Sequence, residues 1–147
     1  MKKSAACFFI LVLTFLIGFI FYTNSSTGIA ENEVLNLVKQ FHHAQIYKNE
    51  AELKRILSDK IQTFRLSEPT NATQEKLLTT VKQAEIESIK TDFVFIDVTG
   101  ENAKVSFEMN MKFRSDTEIP VVHHGSYVYL FEKQQGEWKL IEIHLEN

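Results

Sequence analysis

Two stretches of similar design decide the fold: FVFIDVTGENAKVSFEM, residues 93–109, and YVYLFEKQQGEWKLIEI, residues 127–143. Each has two runs of alternating apolar residues separated by a short polar segment. Gly100 and Gly136 lie in those segments, where glycine supplies the positive φ that a tight turn needs. The two stretches therefore predict two consecutive β-hairpins.

The pairing within each hairpin follows from the turn. A turn centred on Gly100-Glu101 sets Asp97 opposite Lys104, Ile96 opposite Val105 and Val94 opposite Phe107. One face then carries Val94, Ile96, Val98, Val105, Phe107, Met109, Met111 and Phe113, and the other Phe93, Phe95, Asp97, Lys104, Ser106 and Glu108.

A turn centred on Gln135-Gly136 treats the second hairpin in the same way, with Glu132 opposite Lys139. It pairs Leu130 with Ile141 and Val128 with Ile143. The resulting aliphatic face is Val128, Leu130, Ile141, Ile143 and Leu145, and the opposite face carries Tyr127, Tyr129, Phe131, Trp138, Leu140, Glu142 and His144. We expect the aliphatic faces of both hairpins to lie under helices.

The rest of the chain supplies those helices. Apolar spacing predicts a helix over Glu33–Tyr47, a second one capped by Asn49, a short strand over Lys60–Leu66 and a third helix over Gln74–Ala84. The four long strands are Glu85–Val98, Ala103–Ser115, Val121–Lys133 and Glu137–Leu145, and Ser67–Asn71 is a loop. Helices that precede a meander predict an α+β fold, with three helices packed on one face of a curved antiparallel sheet.

The amino-terminal segment has a different character. Met1-Lys2-Lys3 is positive, residues 5–22 hold no charge, and residues 23–27 form a polar spacer. The apolar run is intermediate in length between a signal peptide and a spanning helix. We divide the chain into residues 1–30, a signal anchor or signal peptide, and residues 31–147, one globular domain. The expected location is a bacterial cell membrane, single-pass with the domain outside, or secretion if cleavage follows Ala30.

Charge excludes one class of partner. The 147 residues contain 16 Lys and Arg against 19 Asp and Glu, a net charge of −3. Without Lys2 and Lys3 the domain has 14 against 19, a net charge of −5. Because nucleic acids bind basic surfaces, no nucleic-acid partner is expected.

The motifs for phosphate, nucleophilic or zinc chemistry are missing from the sequence. The adjacent histidines His42-His43 and His123-His124 diverge on a helix and a strand, so we expect no metal and no cofactor. Asp92 could point inward beside Met109, and Tyr47 could offer its hydroxyl to a pocket. Such a pair would be a minimal isomerase set, although nothing in the sequence makes the two residues meet.

Three segments carry a resemblance to a known family: residues 47–59, 124–133 and 136–141, the last ending in Gly136-Glu137-Trp138-Lys139-Leu140-Ile141. Residues 31–147 resemble the nuclear transport factor 2-like superfamily, whose fold is a cystatin-like α+β cone. The resemblance implies a fold and leaves function open, because the superfamily includes isomerases, hydratases, small-ligand binders and non-catalytic domains. Its isomerases use an Asp and a Tyr/Asp pair that line the cone, and these do not match positions here. Exported single-anchor members resemble accessory domains of envelope machinery.

The aromatic sheet face is the expected functional surface. It comprises Phe93, Phe95, Tyr127, Tyr129, Phe131 and Trp138, and exposed aromatic clusters are typical of interfaces. We therefore expect a membrane-tethered, extracytoplasmic interaction or assembly module without catalytic activity, which binds a protein partner or a second copy. The alternative is a small-ligand-binding or isomerase-like enzyme that uses the cone interior, with Tyr47 and Asp92 in its pocket.

Overall fold

The computed structural model describes residues 28–70, 72–115 and 121–147, which form three helices and six strands. The first helix, α1, covers residues 28–46. The remaining elements in chain order are α2 (Glu50–Ile56), β1 (Leu57–Arg65), β2 (Glu68–Thr70), α3 (Gln74–Gln83), β3 (Ile86–Thr99), β4 (Asn102–Phe113), β5 (Val121–Gln134) and β6 (Glu137–Leu145).

Helices α2 and α3 begin where the sequence predicts, whereas α1 already covers residues 28–32, ahead of the start predicted at Glu33. The side chain of Asn49 accepts a hydrogen bond from the Glu52 backbone N–H and caps α2. Thr73 accepts one from the Lys76 backbone N–H and caps α3. Each cap satisfies a backbone donor that the first helical turn leaves free, which fixes the start of the helix.

One six-stranded sheet contains every strand, in the order β2-β1-β6-β5-β4-β3. The four long strands pair antiparallel as expected, whereas β1 runs parallel to β6. The expected loop over residues 67–71 was wrong in part, because β2 pairs antiparallel with β1 at the edge of the sheet. The α+β architecture, with helices packed against a curved sheet, is confirmed.

The first hairpin has the predicted register near its turn and a bulge farther along. Asp97 lies opposite Lys104 and Ile96 opposite Val105. Phe93 and Val94 then share the single partner position of Phe107, and Phe93 has a φ of +52°. This β3 bulge reverses the alternation upstream, as an extra residue must.

The second hairpin has its bulge in the other strand. Glu132 lies opposite Lys139 as predicted, and Phe131 opposite Leu140, but Leu130 pairs with Glu142. Ile141 is therefore the extra residue, which we call the β6 bulge. The predicted pairs of Leu130 with Ile141 and of Val128 with Ile143 are wrong.

The pairing of β5 with β4 decides which face is inside, because Tyr129 lies opposite Val105 and Tyr127 opposite Phe107. The β6 bulge moves Ile143 to this aromatic side, opposite Tyr129, and sends Glu142 and His144 to the other side. The aromatic face therefore packs against the helices, and the expectation that the aliphatic face of the second hairpin lies under them was wrong. Tyr129 is 2% exposed and Phe131 1%.

The core lies between the helices and this face of the sheet. From α1 come Val34, Leu37, Val38, Phe41 and Ala44, and from the sheet Val105, Phe107, Met109, Tyr129, Phe131, Trp138 and Leu140. Within the ranges that the structure describes, no helix has the length and apolarity needed to cross a membrane. The apolar segment 5–22 and its polar spacer lie outside those ranges.

Candidate functional site

A cleft of about 320 Å³ opens between α1 and the edge of the sheet. We call it the α1–β3 cleft. Helix α1 contributes Leu35, Val38, Lys39 and His42, strand β3 contributes Thr91, Val94 and Ile96, and strand β4 contributes Phe107. Its volume is at the lower end of the range for small-molecule sites, and its walls are mainly apolar, as such sites usually are.

The α1–β3 cleft owes its shape to the β3 bulge. Val94 belongs to the bulge and lines the cleft, and Thr91 lies opposite Met109 because the bulge has reversed the alternation. Strand β3 is also the last strand of the sheet, so its outer edge has no neighbouring strand among the described residues. A bulged edge strand often reshapes a site in this way.

His42 is the buried polar group of the cleft. Its Nε2 lies 3.3 Å from the hydroxyl of Tyr129, and its ring makes edge contacts with Phe107 and Tyr129 at centroid distances of 5.7 and 5.9 Å. Burial lowers the pKa of His42 to about 4, because an apolar environment disfavours the imidazolium. His42 is therefore neutral at pH 7.

The other ring nitrogen of His42, Nδ1, can accept or donate a hydrogen bond. Nδ1 has no hydrogen-bond partner in the part of the chain that the structure describes. Tyr129 is fully enclosed, and burial raises the pKa of its hydroxyl above the ordinary value. The pair is thus uncharged, and it leaves one imidazole nitrogen for a further hydrogen bond.

Gln45 supplies a second polar group on the same side of α1, three residues after His42. Its Oε1 is buried and has no hydrogen-bond partner among the described residues. Buried side-chain oxygens are normally bonded, so an unpartnered one marks a place for a ligand or a water.

A second histidine–tyrosine pair lies farther along β5. The His123 Nε2 is 3.1 Å from the Tyr127 hydroxyl, and the Tyr127 ring stacks on Phe107 at 6.1 Å. Burial raises the pKa of Tyr127, and the charge of Arg65 opposes that effect. Phe107 therefore connects this pair to the α1–β3 cleft.

The six aromatic residues of the expected surface do not share one environment. Phe93 is 88% exposed and Phe95 67%, as expected. Tyr129, Phe131 and Trp138 are buried in the core, and Tyr127 is partly buried against it, so their expected exposure was wrong. Trp138 donates from Nε1 to Glu33 of α1 at 3.1 Å, which ties the closing hairpin to that helix.

The two expected pocket residues lie elsewhere. Tyr47 is 69% exposed and contacts the ring of His43 at 4.3 Å. Asp92 is exposed and lies opposite Glu108 in the neighbouring strand. The β3 bulge turns Asp92 outward and leaves Thr91 opposite Met109. The structure therefore does not bring Tyr47 and Asp92 together.

The histidines remain apart. Residues 28–70, 72–115 and 121–147 contain no group of three or more His, Cys, Asp or Glu side chains placed to hold a metal. His42 itself was missed as a site residue. Its signal was present, because His42 follows Val34 and Val38 at four-residue intervals on the apolar stripe of α1.

Comparisons with known proteins support the fold. No protein-family model matches the chain, and no curated protein matches it either. Among solved structures, an NTF2-like protein from Cytophaga hutchinsonii has 18% identity and a TM-score of 0.65, over 76% of this chain and 93% of the other. The association domain of C. elegans CaMKII has 12% identity and a TM-score of 0.70, over 83% and 98%.

A third similar structure, from Shewanella frigidimarina, is named as a ketosteroid isomerase. It has 20% identity and a TM-score of 0.61, over 75% of this chain and 91% of the other. Together these likenesses show that the chain has the nuclear transport factor 2-like fold, as the resemblance implied. Structures with this fold are named as an association domain and as an isomerase, so the function of this chain has to be argued from its site.

Proposed function

We propose that this domain binds a small, largely apolar molecule in the α1–β3 cleft. The observation that carries the proposal is the cleft itself: a mainly apolar space of about 320 Å³ with His42 among the residues that line it. Apolar walls supply the binding free energy, and one placed polar group orients the ligand. The ligand-binding alternative of the sequence analysis is therefore favoured over the broad aromatic interface.

We further propose that binding there is not followed by acid–base catalysis. No carboxylate is among the eight residues that line the cleft. His42 has a pKa of about 4, and such a weak base abstracts a proton poorly near pH 7. The isomerase named among the similar structures provides the opposing hypothesis. That hypothesis predicts turnover of a ketosteroid by the unaltered chain and loss of the turnover in His42→Gln. The present proposal predicts no turnover by either form.

The binding proposal is tested by filling the cleft. The full chain in lipid nanodiscs is titrated with 4-phenylbutan-1-ol, a neutral probe, with empty nanodiscs as the blank. Val94→Trp places a large side chain in the cleft and should weaken binding at least tenfold. The matched control is Val121→Trp, at an exposed position that does not line the cleft, which should bind as the unaltered chain does. Equal binding by both variants, or none by the unaltered chain, would contradict the proposal.

A second candidate function is association through the β3 bulge. Phe93 is largely exposed and also has a positive φ, a conformation that costs free energy for a bulky residue. Phe95, two residues on, is exposed as well. An exposed phenylalanine with a positive φ is unfavourable in the isolated domain. Burial of the two rings against a partner protein or a second copy would offset this cost. One of the similar structures is named as an association domain.

Association is tested by removing both rings. The mass of the full chain in detergent is measured by sedimentation equilibrium for the unaltered form, for the Phe93→Asn/Phe95→Asn double variant and for Val122→Asn. Self-association that the double variant abolishes and Val122→Asn preserves would support the candidate. A monomeric unaltered chain excludes the second copy as the partner.

We also propose that residues 5–22 tether the domain to a membrane. The support is the uncharged run itself and the position of Ala30, which lies in α1 and packs against the core. Removal of residues 1–30 would thus delete residues 28–30 of α1. Intact-mass measurement of the membrane fraction tests the proposal. A soluble mature form that begins at Glu31 would contradict it.

A further inference from the structure

The charge at the α1–β3 cleft comes from one residue. Lys39 is the single charged side chain among the eight that line it. It follows Val38, lies four residues after Leu35 and precedes His42 by three, so it shares their side of the helix. Lys39 is exposed whereas His42 and Phe107 are buried, which puts Lys39 at the mouth and the other two inside.

The ammonium group of Lys39 makes no ion pair within the described residues, although Lys39 lines a neighbouring pocket together with Glu52. Five other lysines do pair with glutamates at 2.6–3.3 Å: Lys48, Lys54, Lys82, Lys112 and Lys139. Lys60, Lys90, Lys104 and Lys133 also make no ion pair in the described chain, and among these unpaired lysines Lys39 is the one that lines the α1–β3 cleft.

We infer that the ligand of the α1–β3 cleft is a small amphipathic monocarboxylate whose apolar body enters the cleft while its carboxylate remains at the mouth beside Lys39. The inference rests on the proposed function and names the chemical class of its ligand. An ammonium at the mouth attracts a carboxylate, and the partly apolar surroundings weaken its screening by water. The ammonium group of Lys39 would repel a cationic ligand.

The volume of the cleft limits the apolar body. A group the size of a water molecule takes about 30 Å³, so 320 Å³ holds roughly ten such groups. A phenylpropyl chain, with nine carbon atoms, fits this limit and leaves the carboxylate outside. The ring would lie against Phe107 and Ile96, and the chain would pass between Leu35 and Val94.

The test compares two probes of nearly the same shape, 4-phenylbutanoate and the neutral 4-phenylbutanamide. Each is titrated into the full chain in nanodiscs of zwitterionic lipid at low ionic strength, pH 7. We expect the carboxylate to bind about fivefold more tightly, a difference typical of one partly exposed charge contact. The preference should decrease at 0.5 M salt, where exposed charges are screened.

Two lysine variants locate the effect. Lys39→Met keeps most of the length of the side chain and removes the charge, so it should abolish the preference for the carboxylate over the amide. Lys60→Met is the matched control, because Lys60 is an exposed lysine on β1 that does not line the cleft, and its preference should remain.

Each outcome decides something different. Equal binding of the two probes by the unaltered chain overturns the inference and leaves the proposed function standing. A preference that Lys39→Met retains also overturns it, since the lysine then contributes only its aliphatic stem to the wall. Failure of both probes to bind overturns the proposed function and the inference together.

Discussion

The two long hairpins each contain one bulge, and the two bulges have opposite effects. The β6 bulge at Ile141 turns Ile143 inward and sends Glu142 outward, which completes an apolar face against the helices. The β3 bulge leaves Phe93 in water with a positive φ and opens the wall of a cleft. The closed half of the sheet is thus arranged for stability, whereas the open half retains features that stability alone does not favour.

The largest expected difference between the two halves is in the free energy of unfolding after a phenylalanine in each half is replaced by alanine. Phe131→Ala empties a site that is 1% exposed and should reduce the free energy of unfolding by about 3–5 kcal/mol. Phe93→Ala removes a ring that is 88% exposed and should change it by less than about 0.5 kcal/mol. Urea denaturation measures both. Similar losses in the two variants would mean that the halves are not distinct in this way.

The next test concerns pH, because His42 lies where the two halves meet. Its pKa falls from 6.5 in the unfolded chain to about 4 in the folded one, so between these values the unfolded state binds the extra proton. The contribution of neutral His42 to the free energy of unfolding is therefore fully present above pH 6.5 and is lost as the pH falls to about 4. The loss is about 3 kcal/mol for a shift of this size.

His42→Gln provides the control for that pH dependence. Glutamine is neutral throughout and can still hydrogen-bond the Tyr129 hydroxyl. The variant should lose most of the dependence between pH 6.5 and 4. The lowered pKa values of Glu50, Glu52 and Glu85 affect stability at lower pH, below about 4.5. Thermal denaturation at pH 7 and pH 4.5 distinguishes the two forms, and parallel behaviour would contradict the assignment to His42.

The smallest expected effect has the opposite sign. Phe93→Gly removes the steric cost of a positive φ, about 1–2 kcal/mol, and adds about 1 kcal/mol of unfolded-state entropy. The net result should be a gain in stability of about 0.5 kcal/mol, measured against Phe93→Ala, which relieves no strain. A loss relative to Phe93→Ala would show that the β3 bulge is not strained.

Much of the architecture was predictable because local signals carry it. Asn49 and Thr73 cap helices as the sequence indicates. Beside the turns, Asp97 lies opposite Lys104 and Glu132 opposite Lys139, as predicted. The bulges were not predictable in this way. Each adds one residue to a strand whose two faces both contain apolar side chains, so alternation alone does not reveal which face is buried.

The prediction of the site residues was affected most by that ambiguity. Tyr129 is the buried partner of His42 because it shares a face with Val105 of β4. The β3 bulge places Thr91 and Val94 on the cleft wall where Asp92 had been expected. The β1–β6 pairing was missed for a different reason. A parallel pair requires contacts between distant parts of the chain, and no local pattern reports them.

That parallel pair bears on the order in which the chain folds. β6 follows every other strand in sequence yet lies inside the sheet, between β5 and β1. Leu57 on β1 pairs with Leu140 on β6, so a long loop must close before β1 and the attached β2 can join. The hairpins of β3–β6 close over short distances and can form first. We therefore expect the docking of β1, with α2 and α3 on either side of it in the chain, to be a late event in folding. During synthesis from the amino terminus, β1 has no β6 to pair with until the last strand has been made.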